Sequence, residues 1–262
     1  MAGSSTVRSA ERALAVLQLL ARHGRPMPTM TIARACGIPK SSTHHLLNVM
    51  RERNFVSYWE DRRAWTLGVA ALEIGSAYMR SGPLHLQGRR HLAQLTEQLN
   101  DTSHLAVLHG TEVIYVDKQE PSGLGIRLVT EVGSRLPAHL TAVGRAMLAR
   151  LPGDQLQLIY AAYDFPTRTG NGPRSLAELR RDLEQVRHQG FALDLGMITP
   201  GITCVAAPVL GGDGAPVAAI GISFVGAQKT EEQLQAAAGL VRVASVELSA
   251  AFAFGGDTGE VA

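Results

Sequence analysis

The sequence predicts an α+β protein in two parts, and three observations lead to this prediction. The length of 262 residues suits one large domain or two ordinary ones. A short N-terminal segment has apolar residues at helical spacing, and the spacing changes to period two after Asn54. The remaining chain combines clusters of strand-like runs with helical runs, a pattern typical of an antiparallel sheet flanked by helices.

The composition describes a folded chain whose two parts carry opposite charge. Hydrophobic residues make up 45% and charged residues 18%, which excludes a mainly disordered chain. Residues 1–65 carry ten Lys and Arg against four Asp and Glu, a net charge of +6, and the rest has a net charge of −4. The basic part therefore predicts a polyanionic partner, and charge alone leaves DNA, RNA and a membrane surface open.

Neither export nor a membrane span is predicted. Residues 1–12 lack the apolar core of a signal peptide. No apolar run approaches the roughly 18 residues that a membrane helix needs, and the richest, residues 215–225, contains Pro216 and Gly221. Two cysteines, Cys36 and Cys204, are too few for a disulfide framework. We expect a cytoplasmic protein without a membrane partner.

The N-terminal segment predicts three helices. Ser9 is expected to cap the first, which ends near His23. Thr29 is expected to cap a short second helix, and Ser41 to begin the third. The turn between the second and third helices contains Gly37, as in a helix-turn-helix.

A hairpin follows the third helix. Phe55, Ser57 and Trp59 alternate with residues of the opposite face, a charged turn comes next, and Trp65 and Leu67 resume the alternation. The hairpin corresponds to a wing, so residues 1–68 are predicted to form a winged helix-turn-helix domain.

In this fold the third helix enters the major groove and its first turns face the base edges. Short polar side chains crowd that stretch, and the two arginines of the wing turn suit phosphate or minor-groove contacts. For any single residue, an ordinary role at a solvated helix start remains open. The predicted DNA-contacting residues are Thr29, Thr31, Lys40, Ser41, Ser42, Thr43, His44, His45, Asn48, Arg62 and Arg63.

Residues 69–83 are predicted to form a linker helix and residues 84–262 a larger domain. A helical connector transmits rotation between domains better than a flexible one, although simple packing remains an alternative. In the larger domain, helices are expected near 85–99, 141–151, 154–161, 175–189 and 230–254, and strands near 104–108, 113–117, 125–129, 202–210 and 217–225.

Seven stretches occur in order and at ordinary spacing: RALAVLQLLA, IARACGIPKSSTHHLL, WTLGVAALEIG, VIYVDK, VGSRLPAHLTAVGRAMLA, VRHQGFALD and GITCVAAPV. Together they make the chain resemble the IclR family of bacterial transcription regulators from about Ser9 to Phe254. The resemblance implies a winged helix, a linker helix and a GAF/PAS-like effector domain that binds a small molecule, often an organic or aromatic acid. It also implies homodimers or homotetramers that repress or activate nearby operons.

The resemblance places effector contacts at Leu136, Ala142, Val143, Asp194, Cys204, Gly221 and Ser223, and we expect Leu128 and Met197 to contact the effector as well. A physical argument supports several of them. Thr141 as an N-cap would leave the following two N–H groups free for a carboxylate. The aspartate, cysteine and serine add polar groups to an apolar concavity. Without the resemblance, a buried cysteine, a turn aspartate and a strand serine are the simpler interpretation.

The sequence departs from the family pattern in three places. His45 stands where many members have arginine, so base contacts are expected to differ. Gly196 and Met197 replace a common acidic pair, and Gly221 replaces one of two serines. A roomier, less polar pocket is therefore expected, which favours an aromatic or longer acid over one of two or three carbons.

Two other functions compete with a ligand-responsive repressor of a catabolic operon. A cysteine-dependent enzyme would use Cys204, but GITCVAAPV predicts a buried strand and no phosphate loop, HExxH or GxSxG motif occurs. An interaction module with a degenerate winged helix is the second. The adjacent His44 and His45 point about 100° apart on a helix, which does not suit a metal. We predict no enzyme activity, cofactor or metal, and as partners double-stranded operator DNA, an acid effector and further copies of the chain.

Overall fold

The computed structural model describes residues 7–122, 130–225 and 229–254, and for Pro83 and Phe254 the backbone alone. By its internal contacts the chain divides into two units, Met1–Gly82 and Pro83–Ala262. The helix predicted as a linker is present at Val69–Ser81 and falls in the first unit.

The first unit is a winged helix-turn-helix, as predicted. Its helices are α1 (Arg8–His23), α2 (Thr29–Ala35), α3 (Lys40–Glu52) and α4 (Val69–Ser81), and its strands are β1 (Met27–Pro28), β2 (Val56–Trp59) and β3 (Ala64–Leu67). The strands form an antiparallel sheet in the order β1-β3-β2, so the wing hairpin gains a short third strand that was not predicted.

The helix caps expected in the first unit are wrong. Val7, Pro28 and Pro39 precede the three helices, and none of them caps its helix with a side chain. Pro28 and Pro39 have the extended backbone that leads into a helix, so the polar residue after each lies inside the first turn. The hydroxyl of Thr29 instead accepts a hydrogen bond from the indole N–H of Trp65 at 2.9 Å.

One core holds the first unit together. Val16, Ile32 and Leu47 come from three different helices and are fully buried. The ring of Trp65 on the wing packs against Tyr58, with their centroids 4.7 Å apart. This core fixes α3 against the rest of the unit and leaves its other face to solvent.

The second unit is built on one antiparallel sheet. Its strands are β4 (Thr102–His109), β5 (Glu112–Gln119), β6 (Arg135–Pro137), β7 (Ala192–Leu195), β8 (Ile202–Leu210) and β9 (Pro216–Val225), in the order β6-β5-β4-β9-β8-β7. Its helices are α5 (Pro83–Leu99), α6 (Ala142–Leu148), α7 (Gly153–Tyr160), α8 (Leu176–Gln189) and α9 (Glu231–Phe254).

The helices cover the sheet on two faces. Leu92 of α5 and Val241 of α9 belong to one buried cluster, and Met147 of α6, Leu156 of α7 and Leu183 of α8 belong to another. Each face of the sheet therefore has its own core, as expected for an α+β domain with layers on both sides.

Several elements differ from the prediction. Strands β6 and β7 were missed because they have only three and four residues, too few to display a period. Helix α6 ends three residues earlier than expected, at Leu148. The strand expected at 125–129 lies outside the described residues.

The expectation that no segment approaches the length of a membrane span is also corrected. Within the described residues, Glu231–Ala253 is long and apolar enough, by length and composition alone, to cross a membrane. Val241 and Leu248 of this helix are fully buried in the unit's own core.

Candidate DNA-binding surface and effector pocket

The start of α3 presents polar side chains to solvent. Lys40, Ser41, Ser42, His44 and His45 are exposed there. One turn further along, Asn48 is half-buried, and its amide nitrogen lies 3.1 Å from Nδ1 of His44. Such a face offers donors and acceptors on successive turns, as readout in a major groove requires.

Thr43 does not belong to that face. Its side chain is fully buried, and its hydroxyl donates to the carbonyl of Pro39 at 3.1 Å. Thr43 precedes Leu47 and Met50 by four and seven residues, so it lies on the inward stripe of α3. Its role is to support the helix start, which corrects the sequence-based expectation.

The remaining predicted DNA contacts lie on α2 and on the wing. Thr31 is exposed, and Thr29 is half-buried against the wing through its bond to Trp65. Arg62 lies over the ring of Trp59, with its guanidinium carbon 5.2 Å from the centroid. Arg63 is exposed and turns the chain with a left-handed backbone, φ 45°.

The polar pocket residues of the second unit lie in one row across its sheet. Asp194 pairs with Cys204 across β7 and β8, and Cys204 pairs with Ser223 across β8 and β9. The Cys204 sulfur and the Ser223 hydroxyl are 2.9 Å apart. The pairing register therefore brings together three residues that are far apart in sequence.

Two adjoining concavities open over this row, with free space of about 230 Å³ and 350 Å³ that includes some open solvent. The residues that line both are Tyr115, Asp194, Cys204 and Ser223.

The sequence-predicted effector contacts divide into three groups. The row residues, together with Ala142, Val143 and Gly221, line the smaller concavity, and Leu136 lines the larger. Met197 lines neither in the described part of the chain; its backbone N–H donates to Oδ1 of Asp194 at 2.6 Å. Leu128 lies outside the described residues.

Gly221 is required by close strand packing. A Cβ atom at this position would lie 2.6 Å from the carbonyl oxygen of Val205 and 2.8 Å from the Cβ of Ala206. The glycine thus permits the close approach of β8 and β9, which differs from the expectation that it mainly enlarges the pocket.

The start of α6 carries the predicted N-cap. Thr141 accepts a hydrogen bond from the N–H of Gly144 at 3.1 Å. Within the described part of the chain, the N–H groups of Ala142 and Val143 have no partner. The helix has only seven residues, so these two groups act as individual donors more than through a helix dipole.

Burial dominates the electrostatics of the pocket. It raises the pKa of Asp194 to about 6, although the Met197 N–H and the Arg145 guanidinium oppose the shift. Burial, with a smaller effect of Asp194, raises the pKa of Cys204 to about 12. The thiol is therefore protonated at neutral pH and is a poor nucleophile.

Three polar residues that line the smaller concavity were not predicted from the sequence: His104, Tyr115 and Thr141. Thr141 was identified as a cap but not as part of the wall. His104 and Tyr115 lie on β4 and β5, and only the strand register brings them beside the row. Alternation along a strand indicates which residues share a face but not which residues lie beside them on neighbouring strands.

The chain matches two family models. Residues 76–250 match the C-terminal model of the bacterial transcriptional regulator IclR, and residues 9–58 match the IclR helix-turn-helix model. Among curated relatives, the transcriptional regulator XynR of Escherichia coli is 28% identical over 87% of this chain and 90% of its own. The transcriptional repressor AllR of Klebsiella pneumoniae is 29% identical over 92% and 88%.

Solved structures agree in fold. The IclR regulator of Alicyclobacillus acidocaldarius has a TM-score of 0.84 at 26% identity and covers 94% of this chain and 99% of its own. An IclR homolog of Microbacterium hydrocarbonoxydans, solved in complex with 4-hydroxybenzoate, has a TM-score of 0.76 at 20% identity, with 93% and 98% covered.

A winged-helix unit joined to a unit with an effector-domain fold defines a DNA-binding transcription regulator. The chain belongs to the IclR family of these regulators.

Replacing Asp194 by asparagine is expected to stabilise the second unit at high pH. The folded-state pKa of about 6 lies above the ordinary 3.8, so the carboxyl group lowers the stability of the fold as the pH rises from about 4, and the loss is complete above about pH 6. Below pH 4 both folded and unfolded states hold the proton, and the effect vanishes. At about 1.4 kcal/mol per pKa unit, Asp194→Asn should raise the free energy of unfolding by on the order of 2–3 kcal/mol at pH 8.

Scanning calorimetry of the full chain between pH 4 and pH 8 measures this difference. Asp154→Asn, at an exposed position of α7, is the matched control and should leave the pH dependence unchanged. An equal effect of Asp194→Asn at pH 4 and pH 8 would show that the carboxylate is not destabilised by burial.

Proposed function

We propose that this regulator is a repressor of a catabolic operon that binds a small organic acid, preferably an aromatic one, in the pocket of its second unit. The proposal rests on two N–H groups at the start of α6, which have no hydrogen-bond partner within the described part of the chain. They belong to residues that line the same concavity as the polar row of Asp194, Cys204 and Ser223. Donors facing a partly apolar cavity are what recognition of a carboxylate requires. The protein would act in the cytoplasm, where operators are located.

Donors in the pocket suit a carboxylate. The N–H groups of Ala142 and Val143 and the hydroxyl of Ser223 can all donate to it. Asp194 repels an anion only when it is ionised, and burial already favours its protonated form. Binding of an acid would raise the Asp194 pKa further, so the site would take up a proton with its ligand at neutral pH.

The preference for an aromatic acid rests on the apolar walls. Leu136, Ile198 and Ile202 line the larger concavity, and Tyr115 lies between the two. A ring would bury more apolar area there than an acid of two or three carbons. The IclR homolog solved with 4-hydroxybenzoate shares the fold at 20% identity, so the same fold accommodates an aromatic acid in that protein.

A cysteine enzyme is disfavoured by the same geometry. The Cys204 thiol is protonated and hydrogen-bonded to Ser223. The curated relatives XynR and AllR are transcriptional regulators.

DNA recognition is proposed to use the exposed face of α3, with Thr31 of α2 and Arg62 and Arg63 of the wing. One winged helix contacts few base pairs, so specific binding needs two copies on two half-sites. We infer a homodimer, which can pair further into a tetramer.

Helix α4 is the proposed connection between the copies. No residue of α4 is buried, and Val69, Leu72 and Ile74 are 57%, 68% and 59% exposed. An apolar helix without a buried face gains free energy from burial against a partner. We infer that α4 pairs with α4 of a second copy and that the effector changes the arrangement of the paired winged helices through it. The effector must then bind one arrangement better than the other.

The proposed function is tested by adding acids to the full chain. Thermal-shift titration should show stabilisation by benzoate at concentrations where glyoxylate and pyruvate have little effect. In mobility-shift assays with DNA upstream of the gene, the bound acid should change operator affinity. Strong binding of glyoxylate or pyruvate without binding of benzoate would contradict the aromatic preference. Acid binding that left operator affinity and transcription unchanged would contradict the coupling.

Replacing Arg63 by alanine should weaken binding to all DNA sequences alike. A phosphate contact releases counterions, so the loss of one should reduce the slope of log affinity against log salt by about 1. Arg181→Ala, at an exposed position of the second unit, is the control and should leave the slope unchanged. Salt-insensitive binding by the unmodified chain would instead favour an interaction module.

Leu72→Glu in α4 should weaken dimerisation, because two carboxylates would face each other across the helix pair. Light scattering and analytical ultracentrifugation should show at least a tenfold larger dissociation constant, with operator affinity reduced in parallel. Leu158→Glu on α7 provides the matched control, since Leu158 is a leucine exposed to 78%. An unchanged oligomeric state would place the dimer contact elsewhere.

A further inference from the structure

We propose that His104 is a positioning residue of the effector pocket, which directs the hydroxyl of Ser223 into the cavity as a donor to a carboxylate. The inference rests on the proposed function and deepens it, because it names the group that makes the row selective for anions. His104 is outside the set of contacts expected from the sequence.

Geometry joins His104 to the row. Its Nε2 atom lies 2.8 Å from the Ser223 hydroxyl, which lies 2.9 Å from the Cys204 sulfur. His104 pairs with Gly221 across β4 and β9, and its ring reaches Ser223 two residues further along the same face. The Ser223 oxygen is thus the middle atom of a three-membered hydrogen-bonded chain.

The ring is held in place from several sides. His104 is 3% exposed and lies edge-on to Tyr115, with centroids 5.5 Å apart and planes at 75°. Its Nδ1 atom is buried and has no hydrogen-bond partner among the described residues. Burial, and to a lesser extent the charge of Lys118, lowers the pKa of His104 to about 3, so the ring is neutral and carries one proton.

One ring proton and one hydroxyl proton allow two arrangements. With the ring proton on Nε2, His104 donates to Ser223, and the Ser223 hydroxyl donates to Cys204 or to a ligand. With the ring proton on Nδ1, Ser223 donates to His104 instead and accepts from the Cys204 thiol. The second arrangement buries an N–H group without an acceptor, which is rarer in proteins than an unpaired lone pair.

A bound carboxylate selects the first arrangement. Its oxygens only accept hydrogen bonds, so Ser223 must donate to them. A donor at Nε2 of His104 occupies a lone pair of Ser223, prevents its proton from turning to the ring, and strengthens the outgoing bond. A neutral carboxamide differs, because its NH₂ group can donate to Ser223 in either arrangement.

The test compares two probes on the full chain, benzoate and benzamide. His104→Phe keeps a ring beside Tyr115 and removes the hydrogen bond to Ser223. Loss of a bond that supports an ionic contact should weaken benzoate binding about ten- to a hundredfold. Benzamide binding should change less than threefold. Calorimetric titration measures both.

The chain offers a matched control. His139 is also a fully buried histidine whose Nδ1 has no hydrogen-bond partner among the residues that the structure describes. Its Nε2 lies 3.1 Å from the carbonyl oxygen of Pro166, outside the row. His139→Phe should not change the ratio of benzoate to benzamide affinity. Ser223→Ala completes a double-substitution cycle, in which the losses of His104→Phe and Ser223→Ala should not add if His104 acts through Ser223.

The outcomes separate the two proposals. Equal loss for benzoate and benzamide, or additive losses in the cycle, would overturn the role of His104 and leave acid sensing intact. Failure of benzoate, glyoxylate and pyruvate alike to bind the unmodified chain would overturn the proposed function itself. If His104→Phe does not fold, the ¹⁵N chemical shifts of His104 in the unmodified chain with bound benzoate show which ring nitrogen carries the proton. Protonation of Nε2 supports the inference, and protonation of Nδ1 overturns it.

Discussion

The pairing of β8 with β7 on one side and with β9 on the other is the interaction on which the candidate pocket depends. It aligns Asp194, Cys204 and Ser223 in one row, although they are separated by up to 29 positions in the chain. A shift of one residue in either pairing would turn these side chains to the opposite face, toward α5 and α9. Close contact at Gly221, where a Cβ would meet the backbone of Val205, helps to fix the register.

Helix α3 has two different faces, one packed into the core of the first unit and one exposed to solvent. Thr43 and Leu47 are fully buried and fasten α3 to the core, and Ser42 and His45 are exposed. The proposed contacts of α3 with bases need the first pair as much as the second, because such contacts depend on a fixed orientation of the helix. Helix α4 contrasts with α3, since within the described part of the chain none of its residues is fully buried.

Local signals allowed much of the fold to be predicted from the sequence, and long-range contacts account for what was missed. The order of helices and wing in the first unit follows from apolar spacing and from turn residues such as Gly37. The burial of Thr43 could have been predicted from the same spacing, because Thr43 precedes Leu47 by four residues. His104 could not be assigned from the sequence, since its contact with Ser223 spans 119 positions and depends on the register of β4 with β9. The predicted helix caps were wrong where a proline precedes the helix and already gives the backbone the conformation that leads into it, as at Pro28.

The two separate cores of the second unit have a consequence for how such a protein changes over generations. Residues on the face of α5 and α9 maintain the sheet, and residues on the face of α6 maintain the cavity. Substitutions that reshape the cavity therefore leave the opposite core intact, so the lining of the cavity can change without loss of the scaffold. The regulator of Alicyclobacillus acidocaldarius accordingly keeps this architecture at only 26% identity.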